Sequence, residues 1–140
     1  MCSSDLEQPP ARPERVFQES TARLLTLMLS DPMARLPSFP RMGFTEYPFP
    51  VAIKTGTSSN YRDAWAVAWS PHFLVGVWMG DPDYQPMKRL TGYKGAARLM
   101  HEVLMSLESA TDPALAQGLK DVGFPAPQGY RPVQIGRAHV

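Results

Sequence analysis

Lys54-Thr55-Gly56-Thr57 sets a fixed cation, two hydroxyls and a residue without a side chain between two apolar runs, Phe49 to Ile53 and Ala64 to Trp69. Each type has a job in acyl transfer on a peptide that ends in a carboxylate. The Lys54 ammonium supplies a compact point charge. The hydroxyls of Thr55 and Thr57 can donate to a carboxylate, and charge-assisted bonds of that kind contribute roughly 1.5–3 kcal/mol. Gly56 has no Cβ, so a substrate backbone can lie flat along the strand and add to the sheet. The backbone N–H of Thr57 can face a developing oxyanion; losing one such donor typically costs about 100- to 1000-fold in rate.

These residues need a strand to hold them. Tyr47 to Thr57 is read as that strand, with Pro48 and Pro50 placing its start at a sheet edge or outside the sheet, because proline cannot donate to a ladder. Arg62 to Ser70 is a second strand, with Ala64, Ala66 and Ala68 facing one way and Trp65, Val67 and Trp69 the other. Ser70-Pro71-His72 is a turn, and Phe73 to Met79 a third strand. Its alternate face carries Gly76 and Gly80, where another element is expected to approach closely. Short connections predict an antiparallel meander.

Helices flank it. Ser20 to Ser30 carries Ala22, Leu25 and Leu29 at helical spacing with Leu24 and Met28 beside them; Ser20 or Thr21 is the expected cap, and Pro32 follows the end. Thr91 to Ser109 repeats Ala96, Leu99, Met100, Val103, Leu104 and Leu107 at i, i+3, i+4 spacing, with His101, Glu102 and Ser106 opposite. This helix is expected to pack across the sheet. The fold class is therefore α/β (α+β), with a three-strand antiparallel meander and flanking helices.

Composition excludes several function classes. Lys and Arg number 14 against 13 Asp and Glu, a net charge of +1, which leaves no electrostatic footprint for nucleic acid or an anionic membrane. Cys2 is the one cysteine, so disulfide, zinc-thiolate and cysteine-nucleophile chemistry are not indicated. Asp81 and Asp83 lack the remaining spacing of a calcium loop. Tyr93-Lys94-Gly95 lacks the lead-in of a phosphate loop. No cofactor and no metal are expected. No apolar run approaches the roughly 20 residues of a membrane span.

The ends carry a separate signal. One codon spelling of Ile135 to Val140 has a reverse complement that encodes Met1-Cys2-Ser3-Ser4-Asp5 from a GTG start. Residues 1–6 and 135–140 are accordingly read as sequencing-adapter sequence. Residues 7–110 form the folded part, and the Pro/Gly-rich span 111–134, with Phe124-Pro125-Ala126-Pro127, is expected to be a linker toward a further domain.

Lys-Thr-Gly-Thr is also a signature motif of penicillin-binding transpeptidases and serine β-lactamases. The flanks Pro48-Phe49-Pro50-Val51-Ala52-Ile53, Tyr61-Arg62-Asp63-Ala64-Trp65-Ala66-Val67 and Ser70-Pro71-His72-Phe73-Leu74-Val75-Gly76-Val77-Trp78-Met79-Gly80 extend the likeness. From about Ser20 to Leu107 the chain resembles the C-terminal third of the transpeptidase domain of bifunctional class A penicillin-binding proteins, and among them the penicillin-binding protein 1C family. The resemblance implies a β-lactamase/transpeptidase-like fold. It implies that Lys54 is the motif lysine, that Thr55 and Thr57 bind the substrate carboxylate beside Gly56, and that the Thr57 N–H is half of the oxyanion hole. Members of that family cross-link peptidoglycan stem peptides ending in D-Ala-D-Ala and are acylated by β-lactams. They sit in the bacterial inner membrane facing the periplasm, held by an N-terminal anchor outside the span that is matched here.

One part of the pattern is missing. The family's nucleophile and base come from Ser-X-X-Lys, and no serine from Ser20 to Ser109 has lysine three residues on. Ser58-Ser59-Asn60 contains Ser-X-Asn but abuts the Lys-Thr-Gly-Thr, where the family's motif lies well upstream. The isolated chain is expected to be inactive. A D,D-carboxypeptidase or serine β-lactamase relative stays open, because water or an amine attacks the same acyl-enzyme, and so does a non-catalytic remnant that binds peptide termini. Other residues read as structural: Arg62 and Asp63 as an ion pair, Trp65, Trp69 and Trp78 as core, and His72 and His101 without a catalytic role.

Overall fold

The computed structural model describes residues 14–119 and 122–131. The ends 1–6 and 135–140, read as adapter sequence, lie outside the described residues. Helix α1 (Glu19–Ser30) starts one residue before its expected cap: Gln18 holds the N-cap position and makes no side-chain bond there. Neither Ser20 nor Thr21 caps the helix. Glu19 instead lies in the first turn, where a carboxylate complements the helix dipole, and it pairs with Arg23. Asp31 ends α1 and caps α2 (Pro32–Arg35), accepting from Met33 N at 2.8 Å and Ala34 N at 3.3 Å.

Strands β1 (Ala52–Thr57), β2 (Asp63–Trp69) and β3 (Leu74–Gly80) form one antiparallel sheet in the order β1-β2-β3. Pairing starts at Ala52 rather than Tyr47, since the two prolines before it have no N–H to give. The β1–β2 turn contains Asn60 and Tyr61 at φ 61 and 57, and the Ser58 hydroxyl accepts from Asp63 N at 2.8 Å. At the next turn the Ser70 hydroxyl accepts from Phe73 N at 3.0 Å.

Register assigns the two faces. Ile53, Thr55 and Thr57 pair with Ala68, Ala66 and Ala64, which pair with Val75, Val77 and Met79. Helix α3 (Ala96–Thr111) packs on that face across β2 and β3. The three alanines are fully buried; their small side chains let the helix lie close. Burial along α3 runs through Ala96, Ala97, Met100, Leu104 and Glu108. The expected stripe is therefore rotated: Leu99, Val103 and Leu107 are 47%, 37% and 37% exposed. The helix also begins at Ala96, not Thr91, because Thr91 to Gly95 form a turn that carries Gly92 onto the sheet.

Glu108 is fully buried and one carboxylate oxygen meets His72 Nδ1 at 2.9 Å. Its other oxygen has no hydrogen-bond partner among the described residues. His72 thus ties the β2–β3 turn to α3. His101, read as lying on a polar helix face, instead packs its ring 4.6 Å from that of Tyr47. After α3, Asp112 caps α4 (Pro113–Ala116) by accepting from Leu115 N at 3.2 Å, and Leu115 and Ala116 enter the core. Farther on, Arg23 Nη1 donates to Ala126 O at 3.2 Å, and Pro127 is buried.

The opposite sheet face is covered only at one end, where Trp69 Nε1 donates to Thr26 Oγ1 of α1 at 3.2 Å. Trp65 and Trp78 are 48% and 50% exposed, so the core role read for them does not hold: no described element covers this part of the face. Gly76 has open space where a Cβ would sit, and the space beside Gly80 is filled by the ring of Trp78. No separate described element approaches either glycine. Asp63 accepts from Trp78 Nε1 at 3.0 Å, and the Arg62 guanidinium stacks 4.8 Å from the Tyr84 ring centroid. Arg62 and Asp63 do not pair with each other.

Candidate carboxylate-binding edge on the first strand

Antiparallel pairs alternate between residues that exchange hydrogen bonds and residues that do not. Ser58 N donates to Asp63 O at 2.9 Å, and this pair continues the register of Gly56 with Trp65 and Lys54 with Val67. Residues 54, 56 and 58 therefore spend their backbone groups on β2. The N–H and C=O groups of Ile53, Thr55 and Thr57 point the other way, to an edge that no described strand occupies.

That edge is bounded. Arg35 Nη1 donates to Val51 O at 3.1 Å and more weakly to Leu29 O at 3.4 Å, which closes the edge before Ile53. Burial holds the Arg35 guanidinium somewhat below its ordinary pKa, against the pull of Tyr47, Asp31 and Glu46. A cleft of about 350 Å³ runs beside the open part, lined by Leu29, Ala34, Phe39, Ile53, Lys54 and Thr55 among others.

Thr57 N–H and Thr55 C=O both lie on this edge. Lys54 is exposed on the face away from α3, and its ammonium donates to the Thr55 carbonyl. Gly56 has only the Cβ of Trp65 near its own missing Cβ, at 3.7 Å, so packing within the chain does not require a glycine there. Thr55 is half-buried and Thr57 exposed.

Sequence reasoning missed one residue of this site. Gly92 N donates to Thr57 Oγ1 at 3.0 Å. A hydroxyl has one proton and two acceptor positions, so this bond leaves the Thr57 proton free to donate outward. Gly92 can do this only as glycine: a Cβ would collide with the Trp65 carbonyl oxygen and lie 2.6 Å from that of Gly56. The same residue ties its turn to the first turn of α3, since Ala97 N donates to Gly92 O at 2.7 Å. The available signal was a glycine between two polar residues just ahead of a helix.

A nucleophile paired to a base is not found beside this edge among the described residues; the Ser58 hydroxyl is held by the turn. The described residues contain no cluster of three His, Cys, Asp or Glu that could bind a metal. A cavity of about 720 Å³ lies elsewhere, between α1 and the β2–β3 turn, and is lined mainly by apolar residues such as Phe17, Leu25, Trp69 and Phe73. It holds none of the motif residues.

An exposed strand edge with an outward N–H, a primed hydroxyl and a neighbouring ammonium is suited to a peptide carboxylate, and proteins of known name carry matching sequence. Over 90 residues, 63% of this chain, it is 32% identical to penicillin-binding protein 1C of Escherichia coli K12. This chain is a relative of the penicillin-binding proteins. It is 41% identical over 49 residues to penicillin-binding protein 1A of Aquifex aeolicus, and 41% identical over 54 residues to penicillin-binding protein 1B of Vibrio cholerae. These stretches cover 35% and 39% of the chain. The matched spans are 11%, 6% and 7% of the lengths of the three relatives. No protein-family model and no solved structure matches the chain.

Proposed function

We propose that this chain carries the substrate-clamping strand of a peptidoglycan D,D-transpeptidase with a β-lactamase-like fold. The observation that carries the reading is the β1 edge, where Thr57 presents a backbone N–H and a hydroxyl that already accepts from Gly92 N and keeps its own proton to donate. A stem peptide ending in D-Ala-D-Ala would add along Ile53 to Thr57 as an extra strand. Its carboxylate would accept from the hydroxyls of Thr55 and Thr57 in the field of Lys54. The Lys54 ammonium would leave the Thr55 carbonyl, freeing that group for the incoming N–H. The Thr57 N–H would meet the oxyanion as the acyl bond forms.

The nucleophile is not in this sequence. An acyl-enzyme needs a serine with a base in reach, so a serine supplied from outside the chain would attack the peptide carbonyl and expel D-alanine. The chain alone binds without reacting. The parent protein would act at the periplasmic face of a bacterial inner membrane; no described helix here is long and apolar enough to cross one.

The test is backbone NMR with a D-Ala-D-Ala peptide and its C-terminal amide. Thr55 to Thr57 and Gly92 are expected to shift with the acid and not with the amide. Equal shifts with both would overturn the carboxylate reading. A fluorescent penicillin is expected to leave no covalent label on the isolated chain, and labelling would refute its inactivity.

A further inference from the structure

We propose that residues 123–127 are a strap that docks beside the β2–β3 turn and locks α1 in place. The proposal concerns the placement of α1 and stands whether or not β1 binds a peptide.

Local chemistry makes the segment extended and stiff. Pro125 and Pro127 fix their own φ. Phe124 and Ala126 each precede a proline, which steers them to extended backbone. A stretch of this kind makes no hydrogen bonds within itself, so its carbonyls are left to accept from elsewhere. It also has little freedom to lose, so docking it costs less entropy than docking an ordinary loop. Proline-rich segments are commonly gripped by grooves lined with aromatic rings.

The surface beside it supplies a ring and a donor. Arg23 Nη1 donates to Ala126 O at 3.2 Å, while Nη2 of the same guanidinium pairs with Glu19. The Arg23 side chain is 28% exposed, where arginine is ordinarily mostly exposed. Phe124 and Pro125 face a cleft of about 480 Å³ whose other walls come from Arg23 and Thr26 of α1, from Trp69 and from Pro71. Phe124 is half-buried and Pro127 buried.

The path of the chain gives these contacts a consequence. Leu115 and Ala116 of α4 join the core with α3, and Gly118, at φ 69, turns the chain close to Pro48 ahead of β1. The strap then meets α1 at the end of the sheet where Trp69 Nε1 donates to Thr26 Oγ1 at 3.2 Å. Arg23 and Thr26 stand three residues apart and share a side of the helix. The two bonds therefore hold that side of α1 at two points, one to the sheet and one to the strap. Met28 and Leu29 of the same helix line the cleft beside the β1 edge, so a strap that sets α1 also sets one wall of that cleft.

NMR relaxation of ¹⁵N on the intact chain is expected to give order parameters near 0.85 at Gly123, Phe124 and Ala126, against below about 0.6 for a free linker. Arg23→Met keeps the apolar stem and removes the donor, and Pro127→Asp puts a charge at the buried contact. Each is expected to bring the strap below about 0.6. Each should also speed amide exchange in α1 at least about tenfold while the sheet and α3 keep their protection. Glu19→Gln breaks only the ion pair within the helix and is expected to leave the strap ordered and α1 exchange unchanged. If one strap variant loses its fold, the other carries the test. A strap that is already mobile in the unaltered chain, or α1 exchange that neither strap substitution alters, would overturn the proposal. Equal loosening by Glu19→Gln would also overturn it, because the effect would then belong to the helix's own ion pair.

Discussion

The Thr57 hydroxyl and the Gly92 backbone meet at 3.0 Å across 35 residues of chain. The turn that leads into α3 therefore also orients the end of β1. Gly92→Ala places a methyl against two carbonyl oxygens that belong to paired strands, where neither can yield without breaking the ladder. Overpacking of this kind costs about 1–3 kcal/mol, and the lost hydrogen bond adds about 1 kcal/mol. A urea midpoint within error of the parent chain would refute the arrangement.

Gly56→Ala separates fold from site. Its Cβ would meet only an ordinary contact at 3.7 Å, so stability should change by no more than about 0.5 kcal/mol. In the proposed reading the added methyl would stand beside the incoming peptide. Titration with a D-Ala-D-Ala peptide, followed by NMR, should show at least a severalfold weaker affinity. Unchanged affinity with unchanged stability would remove Gly56 from the site.

Much of this was legible in the sequence, for local reasons. The alternation in Asp63-Ala64-Trp65-Ala66-Val67-Ala68-Trp69 reports a strand with one buried face, and the prolines before Ala52 report where pairing must stop. The motif residues were named from the resemblance together with their chemistry. What escaped depends on residues far apart in sequence. The grip of Gly92 on Thr57 and that of His72 on Glu108 join elements whose order no periodicity encodes. Trp65 and Trp78 were misread for a different reason. Strand tryptophans are usually covered, but here no described element lies over that face.

The His72–Glu108 pair should be asymmetric. Glu108 is fully buried while the His72 side chain is 39% exposed. Removing the histidine strands a buried carboxylate, and breaking such a pair from one side costs about 3 kcal/mol or more. Removing the carboxylate leaves an imidazole that water can reach, and a well-packed apolar replacement of a buried charge is often neutral or stabilising. His72→Ala is therefore expected to destabilise the chain more than Glu108→Leu in denaturant melts at neutral pH. The reverse order would show that the carboxylate, rather than its partner, holds the turn.

His101 sets a pH dependence whose sign follows from its packing. Its ring lies 4.6 Å from Tyr47, and burial holds its pKa below the ordinary 6.5, outweighing the opposing pull of the Phe44 backbone and Glu102. The unfolded chain then takes up the proton first as pH falls. Stability from this site is complete above 6.5 and declines in acid, until the folded imidazole also protonates. An NMR titration of the His101 ring should give a midpoint below 6.5, and His101→Gln should flatten the loss of stability between about pH 7 and pH 5. The comparison with His101→Gln isolates this residue from the other ionisable groups, which both proteins share. A midpoint at or above 6.5, or an unaltered pH slope in the variant, would show that the aromatic packing does not exclude the charged ring.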